Sequence, residues 1–185
     1  MVDLNEIVTQ TKDEFELVIR ENNAKVIADH LPIISGVLFQ LKQLFNNLIS
    51  NALKFSRERP VIEINYNLGA YQVPDGQPGE TRMYHRISIV DNGVGFDQQY
   101  ATQIFDPFQR LESDRKVSGS GIGLAIVKKV MENHSGWVEA QGRPDSGATF
   151  NIYFPAVSDV REFAMENPAH TVHASSILQP RRIYW

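Results

Sequence analysis

The sequence contains no cysteine, which excludes disulfides, thiolate nucleophiles and sulfur-ligated zinc. It also lacks long apolar runs, since none approaches the roughly 20 residues that cross a bilayer. The start, Met1-Val2-Asp3-Leu4-Asn5-Glu6, has no basic-then-apolar order of a signal peptide. Positive charge is not in excess: 18 Lys and Arg against 22 Asp and Glu give a net charge of −4. The basic footprint of a nucleic-acid binder is therefore missing, and a protein or small-molecule partner is expected, with no nucleic acid and no membrane contact. A cytoplasmic location is the matching expectation, although a longer parent chain could be membrane-anchored.

What is present suits one ordinary domain with a core: 185 residues, 42% hydrophobic and 22% charged. Leu4, Ile7, Val8, Phe15, Val18 and Ile19 recur at mixed three-to-four spacing and predict a helix over 4–22. Lys25 to His30 reads as a short strand ended by Pro32. Residues 37–55 carry the strongest helical pattern. Val61–Tyr66 and Arg86–Asp91 read as strands joined by a long hairpin loop containing the turn-rich stretch 74–79. After an irregular stretch to about 120, a helix is expected from Ile122 to about His134, with Gly136 as its C′ glycine. Trp137–Ala140 and Thr149–Phe154 suggest a closing hairpin with residues 144–147 at its tip. The order is α+β without strict βαβ alternation.

At about 100° per residue, Gln43, Asn47, Asn51 and Lys54 share an arc of about 80° on the long helix. Leu41, Leu44, Phe45, Leu48, Ala52 and Phe55 take the other side, so the helix is amphipathic. Two amides one turn apart followed by an ammonium can be a solvated face. They can equally be a phosphate face, because amide oxygens are hard ligands suited to Mg²⁺ and a lysine neutralises phosphate.

Asp91-Asn92-Gly93-Val94-Gly95-Phe96 follows directly on a strand. It fits either a type I′ turn at Asn92-Gly93 or a close backbone approach to a planar ligand. In the second case the carboxylate accepts from an exocyclic amine, as adenine offers, and rejects the acceptor oxygen of guanine. Ser118-Gly119-Ser120-Gly121-Ile122-Gly123-Leu124-Ala125 opens the second helix, where free N–H groups favour anions. It is no Walker loop, lacking Lys-Ser/Thr, and it fails G-x-G-x-x-G because position 124 is leucine.

Taken in order, Asn47 to Phe55, Asp91 to Phe96, Ile104-Phe105-Asp106-Pro107-Phe108, Gly119 to Leu124 and Gly147-Ala148-Thr149-Phe150 resemble the ATP-binding catalytic domain of two-component sensor histidine kinases. That family lies within the superfamily of gyrase, heat-shock chaperone and mismatch-repair ATPases. The resemblance covers roughly residues 1–155 and divides the chain into a catalytic domain, 1–156, and a tail or linker, 157–185. It implies a two-layer α/β sandwich, with a mixed, mostly antiparallel sheet packed on three helices and the nucleotide on the helical side.

The resemblance implies ATP and Mg²⁺ as cofactors and gives each matching residue a role. Asn51 matches the metal asparagine, Asn47 its neighbour at the triphosphate, and Lys54 a phosphate ligand. Asp91 matches the aspartate that holds the adenine amine, with Thr149 supporting it through water. Gly93, Gly95, Gly119, Gly121 and Gly123, with Ser120, Ile122 and Leu124, match the flexible walls. Phe105 and Phe108 match aromatics that anchor a lid, and Arg110 an arginine that reaches the γ-phosphate.

Hydrolytic members of the superfamily carry a glutamate one turn before the metal asparagine, as general base. Position 47 is instead asparagine, which takes no proton at neutral pH. Phosphoryl transfer to an outside acceptor then fits better than water attack, with Asn47, Lys54 and Arg110 as the catalytic set. The implied acceptor is a histidine on a dimerisation domain, from which a response regulator is served. None of His30, His85, His134, His170 or His173 has the setting of that acceptor, and His30 and His134 read as structural or solvated.

The start near Val2-Asp3-Leu4 suggests that the dimerisation domain lies just upstream, so the chain alone is expected to bind ATP without labelling itself. A clamp-type ATPase, a serine-directed kinase of the anti-sigma type and a degenerate nucleotide-binding module are the rival readings. Gly36-Val37 departs from the glycine-acid pair common before the long helix. Ser158 to Met165 could form a short helix in the tail.

Overall fold

The computed structural model describes residues 1–56, 59–74, 76–77, 79–109 and 120–156. Arg110, Gly119, His170, His173 and the helix considered for Ser158–Met165 lie outside the described residues.

A five-stranded sheet forms in the order β2-β4-β5-β7-β6, built from Lys25–Ala28 (β2), Val61–Gln72 (β4), Thr81–Asp91 (β5), Trp137–Gly142 (β6) and Ala148–Pro155 (β7). β2 runs parallel to β4, and the remaining pairs are antiparallel. Two residues at each of Val2–Asp3 (β1) and Ile33–Ile34 (β3) pair separately, too short to leave any periodic trace in sequence. The helices are α1 (Leu4–Glu14), α2 (Glu16–Glu21), α3 (Leu38–Lys54) and α4 (Gly123–Asn133). The fold is thus the expected α+β sandwich.

Alternation drives the layering. Ile62, Ile64, Ile87, Ile89 and Ile152 are fully buried on one sheet face, one every second residue as the pleat dictates. Against them lie Leu41, Leu44, Phe45, Leu48 and Ile49 of α3, also fully buried. Leu4, Ile7 and Val8 of α1 and Val127, Val130 and Met131 of α4 complete one continuous core.

The helix expected over 4–22 is interrupted at Phe15, whose φ of −100° and ψ of 11° leave helical geometry. Glu14 ends α1 by pairing with Lys42 at 2.7 Å and accepting from Asn46 Nδ2 at 2.7 Å. This fixes the last turn of α1 on α3. No residue of α2 is buried, so burial does not hold the two segments on one axis.

The long hairpin loop expected between residues 66 and 86 is a correction. β4 and β5 pair continuously from Ile62↔Asp91 to Gln72↔Thr81, leaving only 73–80 as the connection. Burial of β4 fades beyond Tyr66, so the ladder persists where the apolar alternation that reveals strands is gone.

The end of α4 also differs from expectation. The left-handed residue is Ser135, with φ of 53°, and not Gly136. Ser135 N–H donates to Glu132 O at 3.1 Å and Gly136 N–H to Met131 O at 2.9 Å, the paired bonds of a Schellman motif.

Candidate functional site

A cavity of about 450 Å³ opens between the sheet and the helices, within the roughly 300–1,000 Å³ of small-molecule sites. Asn47, Ser50, Asn51 and Lys54 of α3 form one wall. Asn47, Asn51 and Lys54 follow at spacings of four and three residues and so stack on one helix face, with Ser50 beside Asn51 at its edge. The sheet contributes Asp91 from the end of β5, with Ala148 and Phe150 from β7. Val94, Gly95, Phe96 and Ile104 supply an apolar side, and residues 120–124 the turn that leads into α4.

Asp91 is only 8% exposed. Its Oδ1 accepts from Gly93 N–H at 2.8 Å and from Ala148 N–H at 3.2 Å. Both bonds fall on one oxygen, which leaves Oδ2 as a free acceptor among the described residues. Burial pushes the carboxyl above the ordinary aspartate range, and the two N–H bonds offset this in part. A buried carboxylate with one uncommitted oxygen is a demanding acceptor for a ligand N–H.

Of the two readings of Asn92-Gly93, the hairpin turn is excluded. A type I′ turn needs positive φ at both central residues, whereas in this segment only Gly95 has it, at 62°. A side chain at Gly95 would also meet Arg143 O at 2.0 Å, so the backbone passes where only glycine fits.

The Asn47 carboxamide completes the polar wall. Its Nδ2 is buried without a hydrogen-bond partner among the described residues, an uncompensated donor worth about 1–3 kcal/mol until a ligand satisfies it. A methyl at Gly123 would lie 3.2 Å from Asn47 Oδ1 and 3.9 Å from Asn51 Nδ2, so the glycine turn and the amides face each other closely. Among the described residues no cluster of three His, Cys, Asp or Glu could hold a metal. A cation here would rely on amide oxygens, water and its ligand's own oxygens, which matches Mg²⁺ better than zinc.

The structure brings Asn47, Asn51, Lys54, Asp91, Gly95, Ser120, Gly121, Ile122, Gly123 and Leu124 to one cavity. Gly93 stands behind it as a donor to Asp91. Phe105 is buried and meets Phe150 edge-on, with centroids 6.4 Å apart, so it supports the wall from below. Phe108 is 74% exposed with φ of 63°; its backbone N–H, donating to Gly121 O at 2.9 Å, makes the link to the glycine turn.

Thr149 does not reach the cavity. Ala148 and Phe150 flank it on an extended strand, so its side chain falls on the opposite face. There it borders a separate depression with Gln98, Gln141 and Arg143. Ser50, Phe55, Val94, Ile104, Gln109 and Ala148 line the cavity but were not singled out in sequence. For Ala148 the period-two alternation through Phe150 was the available signal. His30, His85 and His134 are not in the cavity wall. His85 instead bonds Tyr66 Oη at 2.9 Å, and burial lowers its pKa.

Fold and cavity together define an α/β sandwich with its candidate site between the helices and the end of β5. Residues 36–158 match the family described as histidine kinase-, DNA gyrase B- and HSP90-like ATPase, and the chain belongs to that family. It is 42% identical over 147 residues to Cyanobacterial phytochrome A of Nostoc sp., covering 78% of this chain and 17% of that protein. It is 32% identical over 154 residues to Phytochrome-like protein Cph1 of Synechocystis sp., covering 83% and 19%. The chain thus spans under a fifth of the length of these relatives.

Among solved structures, the mycobacterial sensor histidine kinase MprB is similar with a TM-score of 0.61 at 26% identity, over 83% of this chain and 95% of that one. Full-length ShkA in complex with AMPPNP is similar with a TM-score of 0.63 at 25% identity, over 83% and 30%. The catalytic domain of histidine kinase ThkA, at 24% identity and a TM-score of 0.65 over 83% and 95%, shares the fold. No helix among the described residues is long and apolar enough to cross a membrane.

Proposed function

We propose that this chain binds ATP with Mg²⁺ and presents the γ-phosphoryl group to a histidine on a separate dimerisation domain, which in turn serves a response regulator. One observation carries the reading. A single cavity joins the free oxygen of buried Asp91 to the amide and ammonium face of α3 and to the glycine turn before α4. An adenine amine donates to Asp91 Oδ2, while Lys54 and the N–H groups around Gly121 to Gly123 meet phosphate. The unpartnered Asn47 Nδ2 donates to a phosphate oxygen.

Asn51 and Asn47 would hold Mg²⁺ through their amide oxygens, and the ion when bound neutralises charge on the transferring group. In the transfer, the bond between the γ-phosphorus and its bridging oxygen breaks. A bond from phosphorus to an imidazole nitrogen forms, and ADP departs. Asn47 offers no carboxylate to take a proton from water, which favours transfer over hydrolysis. Arg110 and Gly119, assigned from the resemblance, belong to the same proposal. The likeness to full-length ShkA in complex with AMPPNP supports it.

Incubation with γ-labelled ATP tests this. The chain alone is expected to bind the nucleotide without stable labelling, and a histidine domain supplied in trans is expected to become labelled. Stable self-labelling of the chain would overturn the proposal, and steady hydrolysis would move it to the clamp ATPases.

A further inference from the structure

The same two helices that face each other across the cavity are joined at their far ends by a histidine. α3 and α4 lie antiparallel: Gly123, the first residue of α4, stands against Asn47, and the end of α4 stands against the start of α3. There His134 Nε2 accepts the backbone N–H of Val37 at 3.0 Å. Its Nδ1 lies 2.7 Å from Val130 O within its own helix. Only the neutral ring with its proton on Nδ1 satisfies both contacts, donating to Val130 O and accepting from Val37.

Val37 is the N-cap of α3 and makes no side-chain cap bond; the imidazole instead accepts Val37's own backbone N–H, one of the donors that a helix start leaves without an intrahelical partner. The ring is 8% exposed and meets Phe154 edge-on at 6.0 Å. It is fitted against glycine: a methyl at Gly36 would lie 2.7 Å from Leu41 Cδ1 of α3 and 2.9 Å from both Cδ2 and Nε2 of the ring. Asn133 Nδ2 donates to Gln40 Oε1 at 3.2 Å beside it, a second, exposed tie between the same helix ends.

We propose that His134 is a positioning residue for the nucleotide site, setting the register of α4 against α3. The inference rests on the nucleotide reading of the cavity. Val37 and Asn47 are ten residues apart, roughly 15 Å along a helix, and α4 spans about the same length. A bond at one end of two rigid, packed helices fixes how far one slides along the other. At the other end that slide sets the gap between the glycine turn and the Asn47 and Asn51 amides. Those amides and the turn would have to hold one triphosphate and its cation together, where a misplacement of about 1 Å can cost a hundredfold in rate.

The test compares variants of the full chain under conditions where each is folded. His134→Phe keeps the ring and loses both hydrogen bonds. His134→Gln offers a carboxamide able to accept from Val37 and donate to Val130. Gly36→Ala keeps the His134 side chain and presses a methyl between the ring and Leu41 of α3. Leu31→Ala, buried outside the α3–α4 pair, is the control for lost stability alone.

In the nitrogen–proton correlation spectrum of the ligand-free protein, His134→Phe and Gly36→Ala are expected to shift the Asn47 side-chain amide and the Gly123 and Leu124 backbone signals. His134→Gln is expected to restore them, and Leu31→Ala to leave them in place. The Kd for ATP with Mg²⁺ is expected to rise about tenfold in His134→Phe and to stay near the parent value in His134→Gln and Leu31→Ala. Unmoved signals at Asn47, Gly123 and Leu124 in both His134→Phe and Gly36→Ala would overturn the inference, as would a lower Tm with an unchanged Kd. A parent chain that binds no ATP would remove the nucleotide reading, while the spectra still decide whether His134 sets the helix register.

Discussion

Asp91 and Ala148, 57 positions apart in sequence, are joined by a bond of 3.2 Å from the Ala148 N–H to Asp91 Oδ1. It draws the start of β7 onto the end of β5. With Gly93 on the same oxygen, it holds the carboxyl so that one face is spent on the fold and the other remains for a ligand. A site residue is thus also a fastening of the sheet, and this shapes what substitutions there should do.

Asp91→Asn is expected to weaken adenine-nucleotide binding at least tenfold, because an amide nitrogen at the Oδ2 position meets the adenine amine donor to donor. Its Oδ1 can keep the two backbone bonds, so the fold should persist. Calorimetric titration with ATP checks the affinity; an unchanged Kd would remove Asp91 from the site.

The raised pKa of Asp91 gives the pH dependence a definite sign. Its folded pKa lies above the unfolded value, so the ionised form opposes folding. Stability is lost as pH rises through the folded pKa, and neutral pH lies on the costly side. Asp91→Asn should therefore match or exceed the parent in Tm at neutral pH, with the difference shrinking on acidification. Nucleotide affinity of the parent should decline on acidification at pH values above the ordinary aspartate range. Thermal melts and titrations across acidic to neutral pH check both trends.

Two helix ends carry residues that chemistry disfavours. Val37 holds the N-cap of α3 at φ −93° and ψ 110° with no side-chain cap, where a β-branched apolar residue is disfavoured. Val37→Asp is expected to stabilise the domain by about 1 kcal/mol, or about 3 °C in Tm. Ser135→Gly, relieving the left-handed φ of 53°, should add a gain of similar size. Differential scanning calorimetry reads each directly.

Tyr153 stacks on Trp137 with centroids 4.3 Å apart and donates to Glu139 Oε2 at 3.0 Å. Burial, reinforced by the Glu139 charge and hydrogen bond, pushes the phenol up to about 12. Stability from this group is complete below pH about 10 and falls as pH rises, because the unfolded chain ionises first. Glu139→Gln should bring the phenol part of the way back, burial remaining the larger cause. Ultraviolet titration of tyrosinate, parent against variant, is the measurement.

Much of the site was legible because it lies on periodic elements. Asn47, Asn51 and Lys54 needed only the 3.6-residue repeat of α3 to be placed together, and the glycine turn needed only its position before a helix. Thr149 was misplaced because motif order carries no face; the alternation with Ala148 and Phe150 decides that, and it becomes visible once β7 is paired on both sides. Motif order likewise did not reveal that Phe108 would be exposed, with a left-handed backbone whose N–H donates to Gly121 O. The reach of the β4–β5 hairpin was hidden because its distal residues are paired but not buried.

The sequence by itself determined the layers, the amide face of α3 and an asparagine rather than a carboxylate at position 47, since each depends on residue type and local repeat. Only the tertiary structure decided which oxygen of Asp91 stays free and which strand face meets the cavity. It alone showed that His134, read from sequence as structural or solvated, bridges the ends of α3 and α4. Those facts depend on contacts between residues up to 97 positions apart, and no local pattern encodes a hydrogen bond across that separation.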